Sequence, residues 1–154
     1  MIWLLLVLYQ VKHFLCDYLF QTPWMLGKFK AYPDWILPLL AHAGVHGVGT
    51  FLIAYAVKPE SALWLALLDM VVHFTVDRIK ASPNLGGRWK TLSANEYSER
   101  LRFSRYSSTD KNLLEVAQYS KKVLKGNTYF WWALGADQMA HHLCHYFIIW
   151  RLMQ

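Results

Sequence analysis

The sequence predicts an all-α fold, a polytopic membrane protein built as a four-transmembrane-helix bundle with a helical cytoplasmic loop between the third and fourth spans. Three observations lead there. Four apolar stretches, each about the length of a bilayer crossing, are separated by polar connections. The composition, 55% apolar with eight Trp and nine Tyr in 154 residues, is too apolar for an ordinary soluble domain of this size. Within every stretch, ionisable or amide side chains recur at each fourth residue, which on a helix collects them on one stripe.

The first span is expected over 2–21, ending before Thr22-Pro23 because the residue preceding a proline is pushed out of helical geometry. It lacks a basic leader and a small-residue cleavage motif, so it reads as a retained span and not a signal peptide. It carries His13-x-x-x-Asp17-x-x-x-Gln21. After a polar connection with Lys28 and Lys30, the second span covers 35–57 and carries His42-x-x-x-His46, with Pro38 tolerated in its first turn. Gly44, Gly47 and Gly49 suit close approach of a neighbouring helix.

Lys58-Pro59-Glu60-Ser61 reads as a short hairpin into the third span, 62–80, with Asp69, His73, Asp77, Arg78 and Lys80. Carboxylates at such depth are costly and therefore rare unless they serve something. The connection 81–128 is polar and basic. Within it Ser93-x-x-Glu96 forms a capping-box pattern, and Asp110 could cap a second helix ending at Gly126. The fourth span, 129–150, carries Asp137-Gln138-x-x-His141-His142-x-x-His145.

The +6 net charge does not point to nucleic acid, because the Lys and Arg residues collect in the connections. The long connection holds nine of them, 22–34 two and 58–61 one, which sets the first two inside and both termini outside. Cys16 and Cys144 have neither metal-finger nor disulfide spacing. The whole chain, 1–154, is expected to form one membrane domain.

Counted from the cytoplasmic ends, His13, His42, His73 and Asp137 share a level about 11 Å deep at a rise of 1.5 Å per residue. Asp17 and Asp77 lie a turn shallower, and His46, Asp69 and His141 a turn deeper. Imidazole with carboxylate is the ligand set of zinc, iron or manganese, and pairs spaced by four on facing helices are how bundles build two-metal centres. His142 falls off the common stripe and His145 a turn too deep, so neither is expected as a primary ligand, nor is Cys16. Hydrogen bonds that simply join helices, or a proton or ion pathway, would use the same residue types.

The combination H-x-x-x-D-x-x-x-Q, H-x-x-x-H, H-x-x-x-D-x-x-K and D-Q-x-x-H resembles a family of small bacterial and phage membrane proteins catalogued as a domain of unknown function. Helix-borne His/Asp pairs four apart are also similar, more distantly, to membrane metal-dependent hydrolases and to the multi-zinc phospholipase C and nuclease group. The phospholipase group adds its N-terminal residue and a Glu, which have no counterpart here.

The distant resemblance implies a zinc-assisted phosphoester hydrolase of the bacterial inner membrane, with His13, Asp17, His42, His46, His73, Asp77, Asp137 and His141 as metal ligands. Asp69 would orient a ligand imidazole or take a proton. Gln21, Arg78, Lys80 and Gln138 would bind substrate, an anionic lipid or another phosphorylated compound met at the cytoplasmic surface among the membrane lipids. A metal-ion or proton transporter, a di-iron membrane oxidase and a non-catalytic helix bundle are the alternatives.

Overall fold

The computed structural model of the protein describes residues 1–30, 33–82 and 128–154, and among them every regular element is helical. The two helices expected from Ser93 and Asp110 lie outside the described residues. Four long helices, α1 (Ile2–Phe14), α2 (Ile36–Val57), α3 (Pro59–Ala81) and α4 (Thr128–Leu152), run alternately up and down. A π-helical turn, Leu15–Leu19, extends α1, and a 3-10 helix, Met25–Phe29, precedes α2.

The boundaries follow from local chemistry. Lys58 precedes a proline and adopts φ −150°, ψ 82°, an extended geometry that α2 cannot continue through. Pro59 then occupies the first turn of α3, where its missing N–H costs nothing. The hairpin expected over Lys58-Pro59-Glu60-Ser61 is thus a single residue, Lys58, and α3 begins three residues earlier than expected. Glu60 in its first turn and Arg78 and Lys80 in its last suit the helix dipole.

Helices α2 and α3 pack closely because Gly47 has no side chain, and a Cβ there would stand 3.2 Å from both the Ala66 carbonyl oxygen and Met70 Cβ. Gly49 does something else, leaving room for the stem of Lys12. Gly44 faces open space.

Two of the helical segments, Ile2–Leu19 and Ile36–Val57, are long and apolar enough to cross a membrane. α3 and α4 fall short on composition because they carry most of the ionisable side chains. The interior is polar at one end and apolar at the other. Leu5, Tyr9, Ala54, Ala62, Leu65, Ile148, Ile149 and Leu152 form an apolar core around the α2–α3 hairpin. Towards the opposite end the buried side chains are imidazoles, carboxylates and lysines. The outer surface is apolar, with Trp3, Leu4, Leu52, Leu63, Trp132 and Leu143 each more than half exposed.

Candidate metal centre

The first helix delivers its site residues through a change of winding. Phe20 N–H bonds the Leu15 carbonyl at 2.9 Å, five residues back, so the chain widens to a π turn around Asp17. His13 Nε2 and Asp17 Oδ2 come within 3.3 Å. The expected span 2–21 ends with this turn, and Gln21 lies past it, half-buried and outside the hydrogen bonds of the centre.

Asp17 faces α2. Its Oδ1 is 3.0 Å from His46 Nε2 and 3.4 Å from His42 Nε2. On the far side of His42, Asp77 Oδ2 of α3 is 3.1 Å from the same Nε2. Asp77 Oδ1 continues to His141 Nε2 of α4 at 3.7 Å, and Asp137 Oδ1 is 3.5 Å from that nitrogen. His42 and Asp77 thus link two groups, Asp17/His42/His46 and Asp77/Asp137/His141, each with donor atoms within 4.8 Å of one another. His73 lies between, its ring stacked on His46 and His141 at centroid distances of 3.7 and 4.0 Å.

Three lysines enter this interior. Lys28, from the 3-10 helix, donates to Asp77 Oδ2 at 2.7 Å, and Lys80 pairs with Asp137 Oδ2 at 2.7 Å and Asp77 Oδ1 at 3.1 Å. Lys12 pairs with Asp69, which also accepts a hydrogen bond from Thr50 Oγ1 at 2.6 Å on the same oxygen, Oδ2. Asp69 Oδ1 is 3.2 Å from His73 Nδ1 and 3.3 Å from His145 Nε2.

All eight expected ligands lie in this interior, with Asp17, at 20% side-chain exposure, the most open. The remaining residues divide. His145, expected a turn below the ligands, is fully buried there, beside Asp69. Lys80 lies at the mouth of the interior, tied between two carboxylates. Arg78 leaves the centre and lays its guanidinium over the Trp35 ring, 3.7 Å from the centroid. Gln138 bridges instead, its Oε1 3.1 Å from His13 Nε2 and its Nε2 donating to Asp137. His142 is half-buried at the edge, its Nδ1 3.4 Å from Gln10 Nε2, and Cys16 packs against α2 with its thiol directed at the Val45 carbonyl.

Lys12 and Lys28 were not expected. Lys12 gave a signal, a lone cation in an apolar helix at the spacing of buried Leu5, Tyr9 and Cys16. Lys28 gave none, because a connection has no periodicity to read.

The donor set fits a cation. Around a tetrahedral zinc with bonds of 2.0–2.1 Å, neighbouring ligand atoms stand about 3.4 Å apart, and the His–Asp separations here run from 3.0 to 3.7 Å. Among the buried polar atoms without a hydrogen bond is Asp137 Oδ1, which faces His141 Nε2. Such atoms are costly unless something else satisfies them.

An all-helical protein with a buried His/Asp centre that could hold metal is the class these observations define. The chain belongs to a family described as "Protein of unknown function (DUF3307)", whose family model matches residues 4–154. No curated protein and no solved structure matches it. The likeness to metal-dependent hydrolases and phospholipase C therefore rests on the residue pattern alone.

Proposed function

We propose that the protein is a membrane-embedded metal-dependent hydrolase that cleaves a phosphoester of a lipid or other phosphorylated compound at the cytoplasmic face. The observation that carries this reading is the pair of His/carboxylate groups joined through His42 and Asp77. Divalent cations held there would polarise the substrate and make water acidic enough to attack near neutral pH. Zinc suits the donors best, with manganese and iron close behind.

Charge supports an anionic substrate. Three ammonium groups, Lys12, Lys28 and Lys80, face four carboxylates, Asp17, Asp69, Asp77 and Asp137, one negative charge from neutrality. Two divalent cations would turn that balance strongly positive, and a phosphate group would offset it. Lys80 and Asp17, with side-chain exposures of 16% and 20%, mark where the centre opens. Lys28 and Lys80 stand near that opening, able to hand their carboxylate partners to the cations and take the phosphoryl oxygens themselves.

The deeper Lys12–Asp69–His145 group is the observation that would favour an ion or proton pathway. The apolar core around Leu5, Leu65 and Ile148 lies beyond that group, which favours a site open on one side.

Support for four crossings comes from the surface, where α3 and α4 expose Leu63, Leu67, Val71, Trp132, Leu143 and Phe147 as α1 and α2 expose theirs. The charges that keep them off a hydropathy test point inward, where intramembrane charges are tolerated.

The test is hydrolysis of phosphomonoester and phosphodiester substrates by detergent-purified protein, before and after chelation. Turnover should vanish on chelation and return with zinc or manganese, and Asp77→Asn should lower it at least about a hundredfold, as loss of a metal-bridging group does. Equal turnover by the chelated protein would end the proposal.

A further inference from the structure

His13, His73 and His145 form a further group, used by neither metal group above; His73 also belongs to a fourth, with His46 and Asp69. They come from α1, α3 and α4, are 4%, 1% and 0% exposed, and each offers a ring nitrogen within 4.8 Å of the others'. On every one of the three rings, one nitrogen is held and the other has no partner. His13 Nε2 is 3.1 Å from Gln138 Oε1, and Nδ1 is unpaired. His73 Nδ1 is 3.0 Å from the Asp69 backbone carbonyl oxygen, and Nε2 is unpaired. His145 Nε2 is 3.2 Å from Lys12 Nζ and 3.3 Å from Asp69 Oδ1, and Nδ1 is unpaired.

That alternation is the habit of metal-bound histidine, whose outer nitrogen donates to a carbonyl or carboxylate while the inner one binds; His13 and His73 follow it with a carbonyl acceptor, and His145 lies between Lys12 and Asp69. The ring spacing agrees. Imidazoles bound tetrahedrally at 2.0–2.1 Å place their ring centres about 5.3 Å apart. The observed separations are 5.3 Å for His13–His145, 5.6 Å for His13–His73 and 5.8 Å for His73–His145. All six buried imidazoles leave one nitrogen unpaired, a cost that packing alone does not offset, and these three meet in one group.

We infer that His13, His73 and His145 form a third cation site, an all-imidazole one, with Asp69 as its outer anion. Three neutral nitrogens select a late first-row divalent ion such as zinc, cobalt, nickel or copper over magnesium or calcium. Asp69 divides its two oxygens: Oδ2 takes Lys12 and Thr50, and Oδ1 faces His73 and His145. The site would pin three helices together at the bottom of the polar interior. It stands independently of hydrolysis, because no carboxylate of the two shallower groups would bind its ion; Asp17, 3.3 Å from His13 Nε2, touches only the outer nitrogen of that ring.

The experiment loads chelator-stripped, detergent-purified full chain with Co2+ and reads bound cobalt and the visible band of four-coordinate cobalt. In Asp17→Asn/Asp137→Asn, which weakens the two carboxylate groups, one cobalt and its band should remain whether or not the protein hydrolyses anything. Adding His145→Gln should weaken that cobalt by more than about a hundredfold, beyond the loss of an outer hydrogen bond. Unchanged affinity and spectrum with His145→Gln would overturn the site. Copper loading of the Asp17→Asn/Asp137→Asn protein provides a check that needs no histidine variant. Electron paramagnetic resonance showing three coupled nitrogens supports the site, and one nitrogen or none overturns it.

Discussion

Lys12 crosses the face of α2 to reach Asp69, and it can do so because Gly49 has no Cβ, which would stand 2.9 Å from Lys12 Cγ. Burying an ammonium group is tolerable only with a partner, and Asp69 with Thr50 provides one on a single oxygen. Lys12→Met should cost about 3–5 kcal/mol, since it leaves Asp69 buried and unpaired. Combining it with Asp69→Asn should recover much of that loss, because the amide carries no charge and still accepts from Thr50. Unfolding of the two variants in detergent compares them directly, and equal stability of Lys12→Met and the wild type would mean that the pair contributes nothing.

At this scale the sequence exposed the site well where spacing repeated. The pairs four apart on each span set His13, Asp17, His42, His46, His73, Asp77, Asp137 and His141 on inward stripes. His145 continues the same rhythm from Asp137 and His141, one turn deeper, and is buried as they are. Arg78 and Lys80 were read as alike because both sit at the end of α3. Two residues are a 200° turn of a helix, so only Lys80 follows the stripe of Asp77 inward, while Arg78 meets Trp35.

Among elements, the order and ends of the four helices were legible because prolines and apolar length mark them. The π turn was not, since nothing in Leu15-Cys16-Asp17-Tyr18-Leu19 distinguishes a wider winding from an α-helical one. It is known from the 2.9 Å bond between Phe20 and Leu15. The three glycines of α2 looked equivalent in sequence and differ in space. Gly47→Leu should wedge α2 from α3, because the new side chain meets the Ala66 backbone and Met70, at an overpacking cost of about 1–3 kcal/mol. Gly44→Leu enters open space and should leave stability within about 0.5 kcal/mol, as exposed substitutions do, or raise it through helix propensity. Thermal unfolding of the pair side by side would reject this packing if Gly44→Leu proved the more damaging.

For the whole molecule, polarity is turned inside out, with ionisable groups buried and large apolar side chains outside. The tryptophans are distributed to match. Trp3, Trp64 and Trp150 lie at the apolar-core end, and Trp24, Trp35, Trp131 and Trp132 lie at the end where the metal centre opens. Aromatic belts of this kind mark the two membrane–water interfaces, and α2 between them, at 22 residues, is about 33 Å long by the 1.5 Å rise, close to a hydrocarbon core. The sign of the connections then orients the bundle. The connections beyond the metal-centre end hold eleven of the sixteen Lys and Arg residues, against Lys58 alone at the other. The candidate centre is accordingly expected to open to the cytoplasm, with Met1 and Gln154 outside. A phosphatase-type reporter fused after Gln154, active only outside the inner membrane, should be active, and a fluorescent reporter that matures only inside should stay dark. The reverse pattern would put the opening of the centre on the outer face, and with it the side from which any substrate or metal ion must come.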